Sequence, residues 1–430
     1  MVKIIGGGLA GCEAAWQLAN AGIKSCIYEM KPHKFTPAHH YSGLAELVCS
    51  NSLKASRHDS AAGLLKEEME TLGSLIVPCA KANAVEAGGA LAVDRERFSD
   101  MITEKIHSHP LIEVIDEEVE TIPEGPVIIA TGPLTAGGFA ENIRRMCGDY
   151  LSFFDAAAPI VTFESLDMDK VFFASRYDRG DADYINCPMN KEEYLAFYNA
   201  LITAESAPLK EFDKRDFKVY EGCMPVEVLA RRGEDTMRYG PLKPVGLTDK
   251  RTGKRPYAVV QLRKENAQGT MYNLVGFQTN LKFGEQKRVF SMITGLENAE
   301  FVRYGVMHRN SFIDSPKLLE PTYALKSNQD IFFAGQITGV EGYIESAASG
   351  IMAGINMARH LRNEEPLVLP AETMIGALTA YISGGCSGEF QPMGCNMGIL
   401  PDLPVRIKDK KAKYTAYADR AIEALNRTIK

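Results

Sequence analysis

The chain opens on a short, mainly apolar run, Val2 to Ile5, which reads as a buried parallel strand. Glycines follow at Gly6, Gly8 and Gly11. Then Ala14, Ala15, Leu18 and Ala19 fall on one face of a helical spacing that ends near Gly22. Residues 25–28 read as a second strand, closed by Glu29. Strand, glycine turn, helix, strand and acid therefore fit within the first 29 residues. Residues 31–60 show no period, yet they are too rich in apolar side chains for a linker. Thr36 to Lys54 in particular is dense in polar groups and holds one thiol. Loops of this length are usually functional or disordered. Helices are predicted over 60–72 and over Arg95–His107, the second with Asp94 as its N-cap. Residues 126–130 are a buried strand running into Thr131, Gly132 and Pro133. The pattern recurs late: residues 331–334 run into Gly335, a glycine-rich turn, and an Ala/Gly-rich helix from about Tyr343 to Leu361.

Residues 156–324 have a different texture. They hold most of the Tyr and Phe and many basic residues, and they lack a nucleotide fingerprint. Asn190 to Glu193 is a capping-box-like helix start within them. The expected organisation is α/β: a Rossmann-like dinucleotide-binding domain in two parts, 1–155 and 325–430, with an inserted α+β domain at 156–324. A basic stretch, 406–413, precedes a last helix ending near Arg427.

Composition narrows the class. The 430 residues are 45% hydrophobic and 24% charged, and 48 basic against 55 acidic side chains leave a net charge of −7. That is an ordinary globular protein; disorder, collagen and a disulfide-rich secreted fold are excluded. No apolar window is long enough to span a membrane. A strand beginning at Val2 leaves no room for a signal peptide. Nine cysteines without paired spacing fit a reducing cytoplasm. Cys386 and Cys395 stand nine apart and no Cys-x-x-Cys occurs, so no metal is expected.

G-G-G-L-A-G at Gly6, Gly7, Gly8, Leu9, Ala10 and Gly11 satisfies G-x-G-x-x-G in the required context, after a strand and opening a helix. Gly6 allows the tight turn, Gly8 lets backbone approach a pyrophosphate, and Gly11 lets the helix pack on the sheet. The helix N-terminus offers N–H groups to phosphate. Glu29, 18 residues after Gly11, would accept hydrogen bonds from ribose hydroxyls. The glycines alone do not separate FAD from NAD. The segments around Thr131 and Gly132, and around Gly335, Gln336, Gly342 and Tyr343, add two strands ending in glycine turns. Together with the fingerprint they point to FAD in the two-dinucleotide flavoprotein arrangement. No second fingerprint is present, so NADH or NADPH would bind only transiently, as reductant.

The fingerprint, L-V-C-S-N-S-L-K at 47–54, E-G-C-M-P-V-E at 221–227, R-Y-G-V-M-H-R-N at 303–310 and the segment 332–350 resemble the folate- and FAD-dependent tRNA (uracil-5-)-methyltransferases over nearly the whole chain. The flavoproteins that form carboxymethylaminomethyluridine are similar over the FAD segments but considerably longer. The resemblance implies formation of 5-methyluridine in the T-loop of tRNA, with methylenetetrahydrofolate as one-carbon donor and reduced FAD as reductant. It assigns Cys223 as nucleophile and Cys49 as flavin-proximal base.

The chemistry needs such residues. Carbon-5 of uracil becomes nucleophilic once a thiolate adds to carbon-6. A base must then take the carbon-5 proton, and flavin can deliver the hydride. Cys223 follows a glycine and precedes Arg231 and Arg232 within ten residues; cationic neighbours favour a thiolate. A folate, with a flat pterin and an acidic tail, wants aromatic or imidazole faces and cations. Phe283 with Lys282, and His308, Arg309 and Asn310, are the candidates. His39 and His40 are candidates for contact with the flavin, or simply hydrogen-bonded loop histidines. From Leu229 to Lys264 ten basic residues face three acids, a local excess of +7 in an acidic chain. Arg231, Arg232, Lys250, Arg251, Lys254 and Arg255 are thereby the candidates for tRNA phosphates. The target uridine must leave its stack before a thiol can reach it. The competing readings are the longer wobble-uridine family, a small-molecule FAD oxidoreductase, and an RNA-binding protein with a structural flavin. Oligomeric state is left open, with a monomer as the working expectation.

Overall fold

The computed structural model describes residues 1–149, 151–178, 181–207, 224–385 and 390–429, with backbone only at 151–156, 178 and 308–309. Six strands form one sheet, in the order Ala324–Leu325, Asn328–Phe333, Val127–Ile129, Val2–Ile5, Ser25–Glu29 and Ile112–Asp116. Every pairing in it is parallel except the hairpin between the first two. Its central strands are buried except at Lys3 and Tyr28, which are partly exposed, and this burial on both faces is why they are mainly apolar.

The helices Leu9–Asn20 and Tyr343–Leu361 pack closely against each other. Small residues set their separation. A Cβ on Gly350 would come within 2.2 Å of the Ala10 carbonyl oxygen, and one on Gly354 within 2.7 Å of the Ala14 carbonyl oxygen. The late Ala/Gly-rich helix is thus bound to the fingerprint helix although more than 300 residues separate them.

A second sheet of six strands is antiparallel throughout, in the order Phe172–Phe173, Tyr184–Met189, Ala258–Lys264, Met271–Leu274, Ile160–Thr162 and Phe301–Arg303. It has its own apolar cluster, including Val161, Ile185, Phe197, Leu262, Phe277 and Phe290, separate from the one beneath the parallel sheet. The chain enters and leaves this region along an antiparallel ribbon of Leu151–Ala156 and Met307–Phe312. A small three-stranded sheet, Ser52–Ala55, Ala90–Val93 and Ala84–Val85, is formed by the chain between Ser25–Glu29 and Ile112–Asp116 of the parallel sheet.

Several predicted elements occur with their expected caps. Asp94 accepts from the Arg97 N–H at the head of Arg95–His107, and Asn190 and Glu193 form a reciprocal capping box on Lys191–Thr203. The helix expected over 60–72 is Ala61–Thr71, capped by Ser60. Three elements escape the local pattern. Ser52–Ala55 lies in the stretch read as aperiodic, because its partner is a distant strand. Ile112–Asp116 alternates weakly at the sheet's edge. Ile76–Ala82 is a seven-residue helix with Pro78 in its first turn, and its N-terminal N–H groups are satisfied by remote Glu13.

Candidate functional site

The strands Ser25–Glu29 and Val127–Ile129 flank Val2–Ile5, so the strand order reverses there. In open α/β sheets such a reversal leaves a ligand crevice beyond the carboxyl ends of the strands. A cavity of about 370 Å³ lies there, lined by Gly6, Gly7, Gly8, Leu9, Ala10, Glu29, Thr131, Gly132, Gly335, Gln336 and Tyr343 among others. Two residues expected at the cofactor do not line it. Gly11 lies behind the turn, where a Cβ would sit 2.0 Å from the Gly6 carbonyl oxygen. Gly342 heads the helix Tyr343–Leu361 beside Glu345 and Lys54.

The turn has the geometry a pyrophosphate needs. Gly6 has φ +104°, and a Cβ on it would lie 2.6 Å from the Ala130 carbonyl oxygen. A Cβ on Gly8 would meet nothing within 4 Å, and no side chain caps the helix that follows. Open space therefore faces uncapped N–H groups at the positive end of a helix, a natural anion site. Glu29, 8% exposed, accepts from the Gly7 N–H at 2.8 Å and from the Lys31 N–H at 3.0 Å. A carboxylate has about four lone-pair sites, so it retains capacity for ribose hydroxyls.

The aperiodic loop forms one wall of this cavity. Lys31, which no sequence pattern singled out, is buried and donates to the carbonyls of Tyr41 (3.1 Å) and Gly43 (2.5 Å), tying the loop down. Thr36, His39, Ala45 and Val48 from the loop line the cavity. His39 meets Thr36 Oγ1 at 2.6 Å, and burial pushes its imidazole below the ordinary range. His40 is exposed, and its N–H donates to Glu46.

Cys49 lies at the Tyr343 end. Tyr343 Oη accepts from the Cys49 N–H at 2.7 Å and the Ser50 N–H at 3.1 Å, while the same tyrosine lines the cavity. Burial, and then the neighbouring Cys49, push this phenol well above its ordinary value. Three arginines hold the rest of the loop. Arg95 donates to the Leu47 carbonyl at 2.7 Å and Arg303 to the Val48 carbonyl. Arg263 donates to Ser50 Oγ at 2.8 Å and to Asn51 Oδ1 at 3.1 Å. Burial lowers the guanidinium pKa of both Arg263 and Arg303. Asn51 in turn donates to the carbonyls of Val93 (3.0 Å), Lys264 (3.0 Å) and Glu265 (3.4 Å). Sequence reading missed this set, since its members are scattered from 47 to 343 and nothing local links them.

Cys223 lies outside the described residues. The helix that follows it, Val226–Ala230, is pinned by buried Glu227, which accepts from the Thr279 hydroxyl and the Asn280 N–H, both at 2.8 Å. Burial pushes this carboxyl up. Phe283 is exposed and stacks on Tyr304 (centroids 4.9 Å apart), which stacks on Phe301 at 5.3 Å. Asn310 is buried in the ribbon, where the backbones of His308 and Arg309 pair with Asp155 and Phe154; those two side chains lie outside the described residues.

Among the basic candidates, Arg231, Arg232, Lys250, Lys254 and Arg255 are exposed. Arg251 is turned onto its own lobe: it pairs with Asp249 at 2.7 Å and donates to the carbonyls of Asp169 and Lys170. Among the described residues no group of three or more His, Cys, Asp or Glu could hold a metal ion. No helix among them is long and apolar enough to cross a membrane.

Comparison with known proteins places this architecture. The family model described as Glucose inhibited division protein A matches residues 1–365. The methylenetetrahydrofolate–tRNA-(uracil-5-)-methyltransferase TrmFO of Listeria innocua is 59% identical over 427 residues, 99% of this chain and 98% of that protein. The protein of the same name from Acetivibrio thermocellus is 59% identical over 430 residues, 100% of this chain and 98% of that protein. The solved structure of Aquifex aeolicus GidA (form II crystal) superposes with TM-score 0.71 at 16% identity, over 99% of this chain and 73% of that one, which establishes a shared fold. With a Rossmann-like crevice, an inserted antiparallel sheet and this whole-length identity, the chain belongs to the methylenetetrahydrofolate–tRNA-(uracil-5-)-methyltransferase family, within the larger GidA family.

Proposed function

We propose that this protein forms 5-methyluridine in the T-loop of tRNA, taking the one-carbon unit from methylenetetrahydrofolate and using FAD reduced by NADH or NADPH. The observation that carries the reading is the placement of Cys49: the phenol that lines the dinucleotide cavity also holds its backbone N–H, at 2.7 Å. The cavity suits FAD on its own features. Open space beside Gly8, an uncapped helix N-terminus and the Glu29 carboxylate match a pyrophosphate and a ribose. Bound there in its reduced form, FAD supplies the hydride that turns a methylene into a methyl group.

The chain's own residues do the rest. The Cys223 sulfur adds to carbon-6 of the uracil, and carbon-5 then bonds to the methylene unit from the folate. The carbon-5 proton passes to the Cys49 sulfur. As the carbon-5 proton leaves, its electron pair breaks the bond between the methylene and the folate nitrogen, so that tetrahydrofolate departs and an exocyclic methylene remains. Once that methylene is reduced to methyl, the C5–C6 double bond re-forms and the Cys223 thiolate is expelled from carbon-6. Phe283, with its stacked partner Tyr304, offers a flat face to a pterin, and His308 and Arg309 complete the folate side, with buried Asn310 supporting the ribbon that carries them. Arg231, Arg232, Lys250, Lys254 and Arg255 meet tRNA phosphates. Arg251, the remaining candidate, acts from behind them by shaping the Asp249–Lys254 turn. The division into 1–155, 156–324 and 325–430 separates flavin side from RNA side, and nine cysteines without paired spacing suit a cytoplasmic setting.

Unmodified tRNA incubated with methylenetetrahydrofolate and NADH or NADPH is expected to yield ribothymidine. S-adenosylmethionine serves as the control donor. Ribothymidine that appears only with S-adenosylmethionine rejects the reading. T-arm RNA containing 5-fluorouridine is expected to form a covalent complex that Cys223→Ala abolishes.

A further inference from the structure

Three guanidiniums converge on the loop that carries Cys49, and among the described residues one carboxylate answers them. Arg95 comes from the helix Arg95–His107, Arg263 from the strand Ala258–Lys264 and Arg303 from the strand Phe301–Arg303. Glu265, 4% exposed and ion-paired with Arg95, is the carboxylate. The other acceptors described above are neutral: the carbonyls of Leu47 and Val48, Ser50 Oγ and Asn51 Oδ1. Arg263 is only 8% exposed. Arg95 Nη2 is buried and finds no hydrogen-bond acceptor among the described residues. Charge taken out of water and left without a counter-charge is costly, and the cost falls when an anion arrives. Cys49 is close enough to act electrostatically on both Arg263 and Arg303.

We infer that Arg95, Arg263 and Arg303 form a charge-compensating and positioning cluster for negative charge at the Cys49 sulfur, two of its three members being carried by the antiparallel sheet. A sulfur that is to receive a proton must carry negative charge beforehand, and guanidiniums supply the field that favours it. Their forks also fix the carbonyl before Cys49 and the hydroxyl after it, so the thiol's direction is set from both sides. Cys49 is thereby completed only when the two sheets are docked. None of the three arginines need touch the substrate; they act through the loop. The inference rests on Cys49 being the group at which charge changes during turnover.

The test reads local charge directly. Holoenzyme is alkylated at constant pH and ionic strength with anionic iodoacetate or neutral iodoacetamide, and the Cys49 peptide is quantified by mass spectrometry. The iodoacetate-to-iodoacetamide rate ratio is expected to exceed that of a short thiol peptide by about threefold to tenfold. Arg263→Gln and Arg303→Gln should each bring it down towards the peptide value, whereas Arg263→Lys and Arg303→Lys should hold it. A native ratio equal to the peptide's overturns the inference. So does an unchanged ratio in a glutamine variant that retains flavin. Should a glutamine variant lose its flavin, the lysine variants decide, because lysine variants with a peptide-like ratio also count against it. Turnover of Cys49→Ala is measured separately and reads the role of the thiol itself, so the two ideas fail independently.

Discussion

At the scale of single residues, the fingerprint works through absent atoms. Gly6 holds a left-handed φ of +104° that other residues resist, and Gly11 leaves no room for a Cβ against the Gly6 carbonyl. The two faults differ in kind. Gly8 has space for a side chain, but that space is where a phosphate would sit. Gly11→Ala is therefore expected to push the helix off the turn, costing about 2–4 kcal/mol and most of the flavin. Gly8→Ala is expected to leave stability within about 1 kcal/mol while weakening flavin retention. Denaturant melts of the apoprotein, paired with the visible flavin spectrum of the holoprotein, separate the cases. Equal stability loss in both variants would contradict this division of labour.

At the scale of elements, two helices owe their first turns to carboxylates from elsewhere in the chain. Glu13, on the fingerprint helix, accepts from the N–H groups of Leu75 (3.0 Å) and Ile76 (2.9 Å). Glu68 accepts from those of Met374 (2.6 Å) and Ile375 (2.8 Å), heading the helix Met374–Ala380. The helix dipole favours an anion at both places. Burial opposes it and is the larger influence, pushing Glu13 up to about 7 and Glu68 up to about 8. Both groups thus hold a proton more tightly when folded than when unfolded. Their contribution to stability is fully present below the ordinary Glu range and is lost as pH rises through about 8 for Glu68. Each adds a slope of at most about 1.4 kcal/mol per pH unit. Glu68→Gln is expected to lower stability at pH 5 yet flatten its fall between pH 5 and pH 8. Melts across that range check it, and an unaltered slope would show that Glu68 does not titrate there.

At the scale of the whole molecule, the small three-stranded sheet and the antiparallel sheet meet along a polar seam. Asp94 accepts from the Ala267 N–H at 3.1 Å, Lys264 pairs with Glu86 at 2.6 Å, and the Tyr184 hydroxyl donates to the Ala87 carbonyl at 2.9 Å. Asn51, with no exposed surface, is its most deeply buried member, bonded on one side to Val93 and on the other to Lys264 and Glu265, two residues after Cys49 in the chain. Asn51→Ala should leave these carbonyls and Arg263 short of a partner, at about 2–4 kcal/mol. Because the flavin cavity is lined by other residues, its flavin content should stay near native while turnover falls. Proteolysis of the antiparallel region should become faster. Native-like turnover would mean that the seam does not set the geometry at Cys49.

How much of this was written locally is seen in particular residues. The path from Val2 to Glu29 could be read because each step has a short period: an apolar strand, a glycine spacing, a helical face, a closing acid. The caps at Asp94 and Asn190 were legible for the same reason, since cap and helix are neighbours. Cys49 came from motif resemblance, and nothing in its own neighbourhood in the chain announced the three arginines. Those come from positions 95, 263 and 303, and meet only because a strand, a second strand and a helix end at one loop. Lys31 likewise carries no local signal in the chain, and the fold buries it beneath a loop whose carbonyls it binds. Periodicity and spacing are properties of a few consecutive residues, so the chain alone determined the nucleotide turn and its helices. Charge compensation and burial depend on what long-range packing brings within a few ångströms, so the setting of the thiol was decided by the tertiary structure.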